Sequence, residues 1–164
     1  SLAVETDFAV YERIVAVDLL APIALTQANL PRMAAAGGGR IVAISSVAGL
    51  VGSPLRSAYS AAKHGLVGFT KSVALETATT GITVNAICPG WVLTPLVRKQ
   101  IEERAAANGT GVEREERALL AEKQPMLRFS TPEQIGAAAL YLCSEGAATV
   151  TGTHLSVDGG WVAR

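Results

Sequence analysis

Arg40-Ile-Val-Ala-Ile-Ser-Ser46 is followed, after a loop, by Ser57-Ala-Tyr-Ser-Ala-Ala-Lys-His64. The first stretch is a short apolar run ending in two hydroxyls, the form of a strand buried on both faces at Ile41 to Ser45. The second opens a helical pattern that continues to Thr79 and stops near Gly81. Between them, Ala48 to Arg56 carries Gly49, Gly52 and Pro54 and reads as a turn-rich loop. A second buried strand follows at Ile82 to Cys88, broken by Pro89-Gly90. Strand, long helix and strand in that order predict a parallel, right-handed crossover.

The same pattern extends in both directions. Upstream, Thr6 or Asp7 caps a helix through Ala35 with apolar positions at Val10, Ile14, Val17, Ile23 and Leu25, bent or interrupted at Pro22 and Pro31. Downstream, the mostly polar segment 92–127 predicts one or two lid helices over a substrate, split at Asn108-Gly-Thr-Gly111. Thr131 caps a further helix, with Pro132 at its first position and Glu133 in its first turn, running to about Cys143. His154 to Val157 is a final short strand. The fold class expected is α/β: part of a doubly wound parallel sheet of about three strands with flanking helices, one domain over 1–164, without repeats.

Chemistry concentrates near the first strand and helix. Tyr59 and Lys63 are four apart, so on a helix they project from one face. A phenol ordinarily titrates at a pKa of about 10, and a cation within a few ångströms favours its ionised form. A hydroxyl such as Ser46, with Ser45 as its competitor, can hold a carbonyl or alcohol oxygen against that phenol. These are the parts needed to move a proton on and off a substrate oxygen. Spacing alone is equally the pattern of a half-buried tyrosine beside a solvated lysine. In an open parallel sheet, however, ligands sit beyond the carboxyl ends of the strands, where Ser46 and Pro89-Gly90-Trp91 both fall.

Taken together, Gly39-Arg-Ile-Val-Ala-Ile-Ser-Ser46, Tyr59-Ser-Ala-Ala-Lys63, Asn85-Ala-Ile-Cys-Pro-Gly90 with Thr94-Pro95, and Val157-Asp-Gly-Gly160 resemble the short-chain dehydrogenase/reductase family from about Phe8 onward. The second half most resembles its 3-hydroxybutyrate dehydrogenase branch, through Ala61-Ala-Lys-His-Gly65, the run from Ile87 to Val97, Lys99-Gln-Ile101 and Asp158-Gly-Gly-Trp161. The resemblance implies a Rossmann-like fold and hydride transfer between NAD and a small secondary alcohol or ketone, with NADP left open. It implies Tyr59 as general acid/base, Ser46 positioning the substrate oxygen, and Lys63 assisting Tyr59 and binding the nicotinamide ribose. Pro89, Gly90, Val92 and Thr94 then line the nicotinamide.

For the substrate carboxylate the resemblance implies Arg56, which stands where the branch has Lys, and Gln100. Trp91 and Trp161 wall the methyl group, and Ala48 replaces a His of that pocket. Arg56 also reads as a solvated loop charge, and Trp161 as a core or interface anchor. Asp18 stands where the family's proton relay has Asn. An ionised Asp accepts hydrogen bonds and cannot donate them, and it can pair with Lys63; it also reads as a plain helix-surface residue.

The family's glycine-rich dinucleotide turn is not found in this sequence. Gly37-Gly38-Gly39 follows a helical pattern and precedes a strand, so it reads as a helix stop. The chain resembles the C-terminal part of a family member without the first nucleotide-binding half. Two functions are therefore expected: an oxidoreductase of this type, or a catalytically incompetent, folded oligomerisation module. By resemblance the helices over 7–35 and 57–79 pair across a dimer, and the last strand with its helix forms another interface, giving a dimer or tetramer.

Composition narrows the partners. The formal net charge is zero and aromatics are 5 % of the chain, which gives no case for nucleic acid or an anionic membrane. No run approaches the roughly 20 apolar residues of a membrane span, and no signal peptide is visible at the start. Cys88 and Cys143 lie in apolar runs without metal spacing and read as reduced core thiols of a cytoplasmic protein. His64 and His154 have no ligand or triad partner at useful spacing and read as structural; no metal is expected. The charged stretches at 102–104 and 113–117 read as a solvated helix face.

Overall fold

A computed structural model describes residues 1–163. Three parallel strands, β1 (Gly39–Ile44), β2 (Ile82–Pro89) and β3 (His154–Val157), form a sheet in the order β1-β2-β3. β1 pairs with β2 from Gly39↔Ile82 to Ile44↔Ile87, and β2 pairs with β3 from Ala86↔His154 to Pro89↔Val157. Successive strand residues face opposite sides. Every residue of β2 from Ile82 to Cys88 is buried, so both faces of the central strand are covered.

The cover comes from α3 (Ser57–Glu76), which packs on β2, and α6 (Pro132–Cys143), which packs across β1 and β2. Val73 and Ala74 of α3 meet Ile82 and Val84 of β2 in the core, with Leu30, Met33, Ile41 and Phe69 packed around them. α6 begins with a capping box in which the Thr131 and Gln134 side chains each bond the other's backbone N–H.

The helix expected over 7–35 is in fact three pieces. Asp7 caps α1 (Phe8–Val15) by accepting from the Ala9 N–H at 3.0 Å. A π-helical segment, Ala16–Leu20, then joins it to α2 (Ala21–Ala35). The interruption has a local cause. In an α-helix residue 22 donates to the carbonyl of Asp18, and Pro22 has no N–H and a ring that crowds that carbonyl. The backbone widens, and Ala21 N–H bonds the Ala16 carbonyl instead. Val10, Ile14 and Ile23 are half-buried as the apolar face requires, whereas Val17 and Leu25 stand exposed.

Gly37-Gly38-Gly39 does end α2, with Gly38 N–H returning to the Met33 carbonyl at 3.0 Å. Gly38 and Gly81 have φ of 157° and 74°. A Cβ on Gly38 would lie 2.9 Å from the Gly81 oxygen, and one on Gly81 would lie 2.7 Å from the Gly37 oxygen. The glycines serve a backbone-to-backbone contact between two turns at the start of β1 and β2.

The lid region is a helical hairpin, α4 (Pro95–Asn108) and α5 (Val112–Lys123), with Gly109 left-handed at the break. Glu102, Glu103, Glu113, Arg114 and Arg117 are exposed, as a solvated face requires, but Arg104 and Glu115 are turned inward. Glu115 is buried. Its carboxylate accepts from Thr110 Oγ1 at 2.6 Å and Asn108 Nδ2 at 3.2 Å. It also pairs with Arg104 Nε at 2.7 Å, and Arg104 reaches Glu122 at 2.9 Å. The Thr110 and Asn108 hydrogen bonds, with Arg104, hold the Glu115 carboxyl below the usual carboxylate range. Cys88 is buried in β2, and burial pushes its thiol up. Cys143, expected in the core, is exposed at the end of α6, because the buried position there is its neighbour Leu142. No helix among the described residues is long and apolar enough to cross a membrane.

Candidate active site

The carboxyl ends of β1 and β2 open into a cleft of about 550 Å³. β1 delivers its two serines to different places. Ser45 is buried and its hydroxyl donates to the Lys63 carbonyl at 3.2 Å. Ser46 lines the cleft, and its Oγ accepts from the Ala48 N–H at 3.1 Å at the start of a 3₁₀ turn, Val47–Gly49. That turn lies against α3 so closely that a Cβ on Gly49 would come within 2.7 Å of the Lys63 carbonyl oxygen.

Tyr59, in the first turn of α3, lines the same cleft. Lys63 does not line it; it is buried behind Tyr59, with Nζ 5.5 Å from the centre of the ring. Its ammonium donates to the Ile44 carbonyl at 3.2 Å and pairs with Asp18 Oδ1 at 3.0 Å. Asp18 is therefore no plain surface residue: the π segment carries it to α3. His64, one residue on, is exposed, with Nδ1 2.9 Å from the Ser60 carbonyl oxygen.

The other walls come from the loop after β2 and from the lid. Gly90, Trp91, Val92, Thr94 and Gln100 all line the cleft, as do Arg56 and Trp161. Pro89 ends β2 outside the lining. Thr94 caps α4 by accepting from the Val97 N–H at 3.3 Å. Arg56 lies over Trp91, its guanidinium carbon 5.4 Å from the ring centre, and the Trp91 and Trp161 rings are 6.0 Å apart. Ala48 is buried and offers the cleft no polar group.

One residue that holds this wall has no signal in the sequence. Gln124, at the end of α5, is almost wholly buried. Its Oε1 accepts from the Trp91 N–H at 3.0 Å, and its Nε2 donates to the Arg128 carbonyl. A Cβ on Gly90 would fall 2.8 Å from Gln124 Oε1 and 2.9 Å from the Asp158 Cα. Asp158 in turn accepts from the Gly160 and Val162 N–H groups at 3.0 Å each, which shapes the turn carrying Trp161. Asn85, in the middle of β2, is also structural: it donates to the Val150 carbonyl at 2.7 Å and accepts from the Thr153 N–H at 3.1 Å.

Residues 2–162 match the family model described as Enoyl-(Acyl carrier protein) reductase. The chain belongs to the short-chain dehydrogenase/reductase family. D-beta-hydroxybutyrate dehydrogenase of Cupriavidus necator is 53 % identical over 154 residues, covering 94 % of this chain and 60 % of that protein. The enzyme of the same name from Rhizobium meliloti is 49 % identical over the same shares. L-Sorbose reductase from Gluconobacter frateurii, solved with NADPH and L-sorbose, superposes with a TM-score of 0.93 at 28 % identity, over 100 % of this chain and 62 % of that one. A 4-hydroxyisoleucine dehydrogenase solved with NADH superposes at 0.81 with 30 % identity. The chain spans about three fifths of the length of the relatives it matches.

The residues present match one end of a dinucleotide. A tyrosine, a lysine behind it and the Gly90–Thr94 wall suit a ribose and a nicotinamide ring. Among the described residues, the glycine triplet before β1 is taken up by its contact with the Gly81 turn.

Proposed function

We propose that this chain is the catalytic part of an NAD-dependent oxidoreductase acting on a small hydroxy acid or its keto form, such as 3-hydroxybutyrate and acetoacetate. The reading rests on one observation: Ser46, Tyr59 and Arg56 line one cleft, with Lys63 behind the Tyr59 ring. The nicotinamide, when bound, supplies or accepts the hydride. NAD is named before NADP on the likeness to the hydroxybutyrate enzymes.

The residues divide the remaining work. The Tyr59 hydroxyl gives a proton to the substrate oxygen in reduction and takes it back in oxidation. The Ser46 hydroxyl donates to the same oxygen and fixes its distance from Tyr59. Lys63, held by Ile44 and Asp18, presents a cation behind the ring and reaches the nicotinamide ribose. Arg56 grips the substrate carboxylate as a fork, already oriented by the Trp91 face. Gln100 adds a polar contact, and Trp91 with Trp161 encloses the methyl group. Gly90, Val92 and Thr94, with Pro89 behind them, bound the nicotinamide side.

The test is acetoacetate titration in the presence of NADH, read by Trp91 and Trp161 fluorescence and by loss of NADH absorbance. Acetoacetate-dependent quenching that Arg56→Ala abolishes supports the reading. Absence of acetoacetate-dependent quenching overturns it, since the chain alone is expected to bind NADH too weakly to consume it.

A second reading is that of a folded assembly module. It is favoured by the exposed apolar residues Phe8, Val17, Leu20 and Leu25 on the helices before β1, and Leu75 on α3. A closed homodimer or tetramer through these helices covers them.

A further inference from the structure

Behind the wall made by Arg56 and Trp91 lies a second cavity, of about 320 Å³. Arg56, Trp91, Gln100 and Trp161 line both this cavity and the cleft, so they form a partition between the two. The floor of the second cavity is apolar. Ile101 of α4 and Leu119 of α5 supply it, and both are buried. The tryptophan rings add flat apolar walls, with centres 6.0 Å apart. A cavity lined mainly by apolar and aromatic groups, with a few polar groups to orient the ligand, is the usual form of a small-molecule site.

The polar groups decide the sign of the ligand. The carboxylate on the lining, Glu122, is engaged by Arg104 at 2.9 Å, and Arg104 also holds Glu115 at 2.7 Å. Arg56, by contrast, has no carboxylate within ion-pair distance among the described residues. It rests over the Trp91 ring instead. A guanidinium carries five N–H donors in one plane. Arg104 shows, in this same region, that one such group can hold two carboxylates from different directions. Arg56 can therefore serve the cleft on one side and the second cavity on the other.

We propose that the second cavity binds a small carboxylate with an apolar or aromatic body. The carboxylate takes N–H groups of Arg56 from behind, and the body lies against Ile101, Leu119 and the two tryptophan rings. The site goes beyond the hydroxy-acid reading and does not depend on it, because Arg56 keeps donors for the cleft.

The experiment uses the purified chain with labelled isoleucine, leucine and valine methyls, titrated with benzoate and followed by two-dimensional NMR. Ile101 and Leu119 line only the second cavity, whereas Val92 and Val97 line only the cleft. Benzoate moves the Ile101 and Leu119 signals saturably. Benzamide, its uncharged counterpart, binds about tenfold more weakly, and Arg56→Ala weakens benzoate by a similar factor. Leu119→Trp fills the cavity and abolishes the Ile101 response. If that variant does not fold, Glu122→Gln decides the matter from an exposed position: it removes the lining carboxylate and strengthens benzoate binding by about threefold or more. Unmoved Ile101 and Leu119 methyls, or a response confined to Val92 and Val97, overturn the proposal. So does equal affinity for benzoate and benzamide. A parallel titration with acetoacetate keeps the two sites apart: if it leaves Val92 and Val97 unmoved while benzoate moves Ile101 and Leu119, the hydroxy-acid reading fails and the second site stands.

Discussion

Truncating Gln124 tests whether the cleft wall is held from behind. Gln124→Ala removes the acceptor of the Trp91 N–H and the donor to the Arg128 carbonyl, both in a part of the fold where the side chain is 1 % exposed. Each buried polar group left unpaired costs about 1–3 kcal/mol. Two of them, with the space vacated against Gly90 and Gly159, give a loss of about 2–5 kcal/mol. At a urea m-value of about 2 kcal/mol/M the unfolding midpoint falls by about 1–2.5 M. Gln124→Glu keeps the acceptor for Trp91 but sets a carboxylate oxygen against the Arg128 carbonyl in a buried site, so it costs at least as much as the alanine variant. Fluorescence-detected urea unfolding reads both, and the native emission of Trp91 shifts only in the alanine variant. A loss below about 0.5 kcal/mol in Gln124→Ala would show that the wall does not depend on this strut.

Four further outcomes are expected. In any form that turns over, Tyr59→Phe lowers the rate by roughly 10²–10⁴-fold with folding intact, measured as kcat against circular dichroism of the same sample. Cys143 is alkylated readily in the native chain while Cys88 is protected until unfolding, as peptide mass spectrometry of iodoacetamide-treated protein will show. The Glu115 carboxyl titrates below its ordinary range in the folded chain, so its contribution to the α4–α5 hairpin is present above the usual glutamate pKa of about 4.3 and is lost as pH falls through the folded value. Hydrogen exchange at 108–115, corrected for intrinsic rates, therefore accelerates on acidification, and Glu115→Gln shows the same loosening at neutral pH. Finally, the isolated chain binds NAD weakly or not at all by calorimetry and scatters light as a dimer or tetramer; micromolar binding by a monomer contradicts both.

The parts of this molecule that depend on local pattern were legible in its sequence. β3 and α6 fall where the apolar run and the Thr131-Pro132 start place them, and the lid breaks at Gly109 as its composition demands. β1 and β2 are found within two residues of the expected ends. Ser46 stands ahead of Ser45 on the family's spacing to Tyr59, not on local pattern; Ser46 lines the cleft and Ser45 is buried.

What escaped depends on contacts between distant segments. Glu113-Arg-Glu-Glu-Arg117 has the look of a solvated face. Glu115 is buried because Arg104, Thr110 and Asn108, brought round by the Gly109 turn, give its carboxylate three partners. The π segment had a local signal, Pro22 four residues after Asp18, but its outcome depends on Lys63 from another helix. Gln124 stands in an ordinary polar stretch, and only the approach of Gly90 and Gly159 makes it a strut.

The contact between the Gly38 and Gly81 turns reaches further than its location suggests. It joins the beginnings of β1 and β2, where Gly39 opposes Ile82, and so acts as the datum from which the strand ladder is measured. Six residues on, roughly 20 Å along the strand, the same ladder determines which serine meets the cleft. A slip of one residue exchanges the two faces of a strand: Ser45 would enter the cleft and Ser46 would be buried against α3. Two glycines with no chemistry of their own thus act as a gauge for the alignment of a hydroxyl at the far end of the sheet.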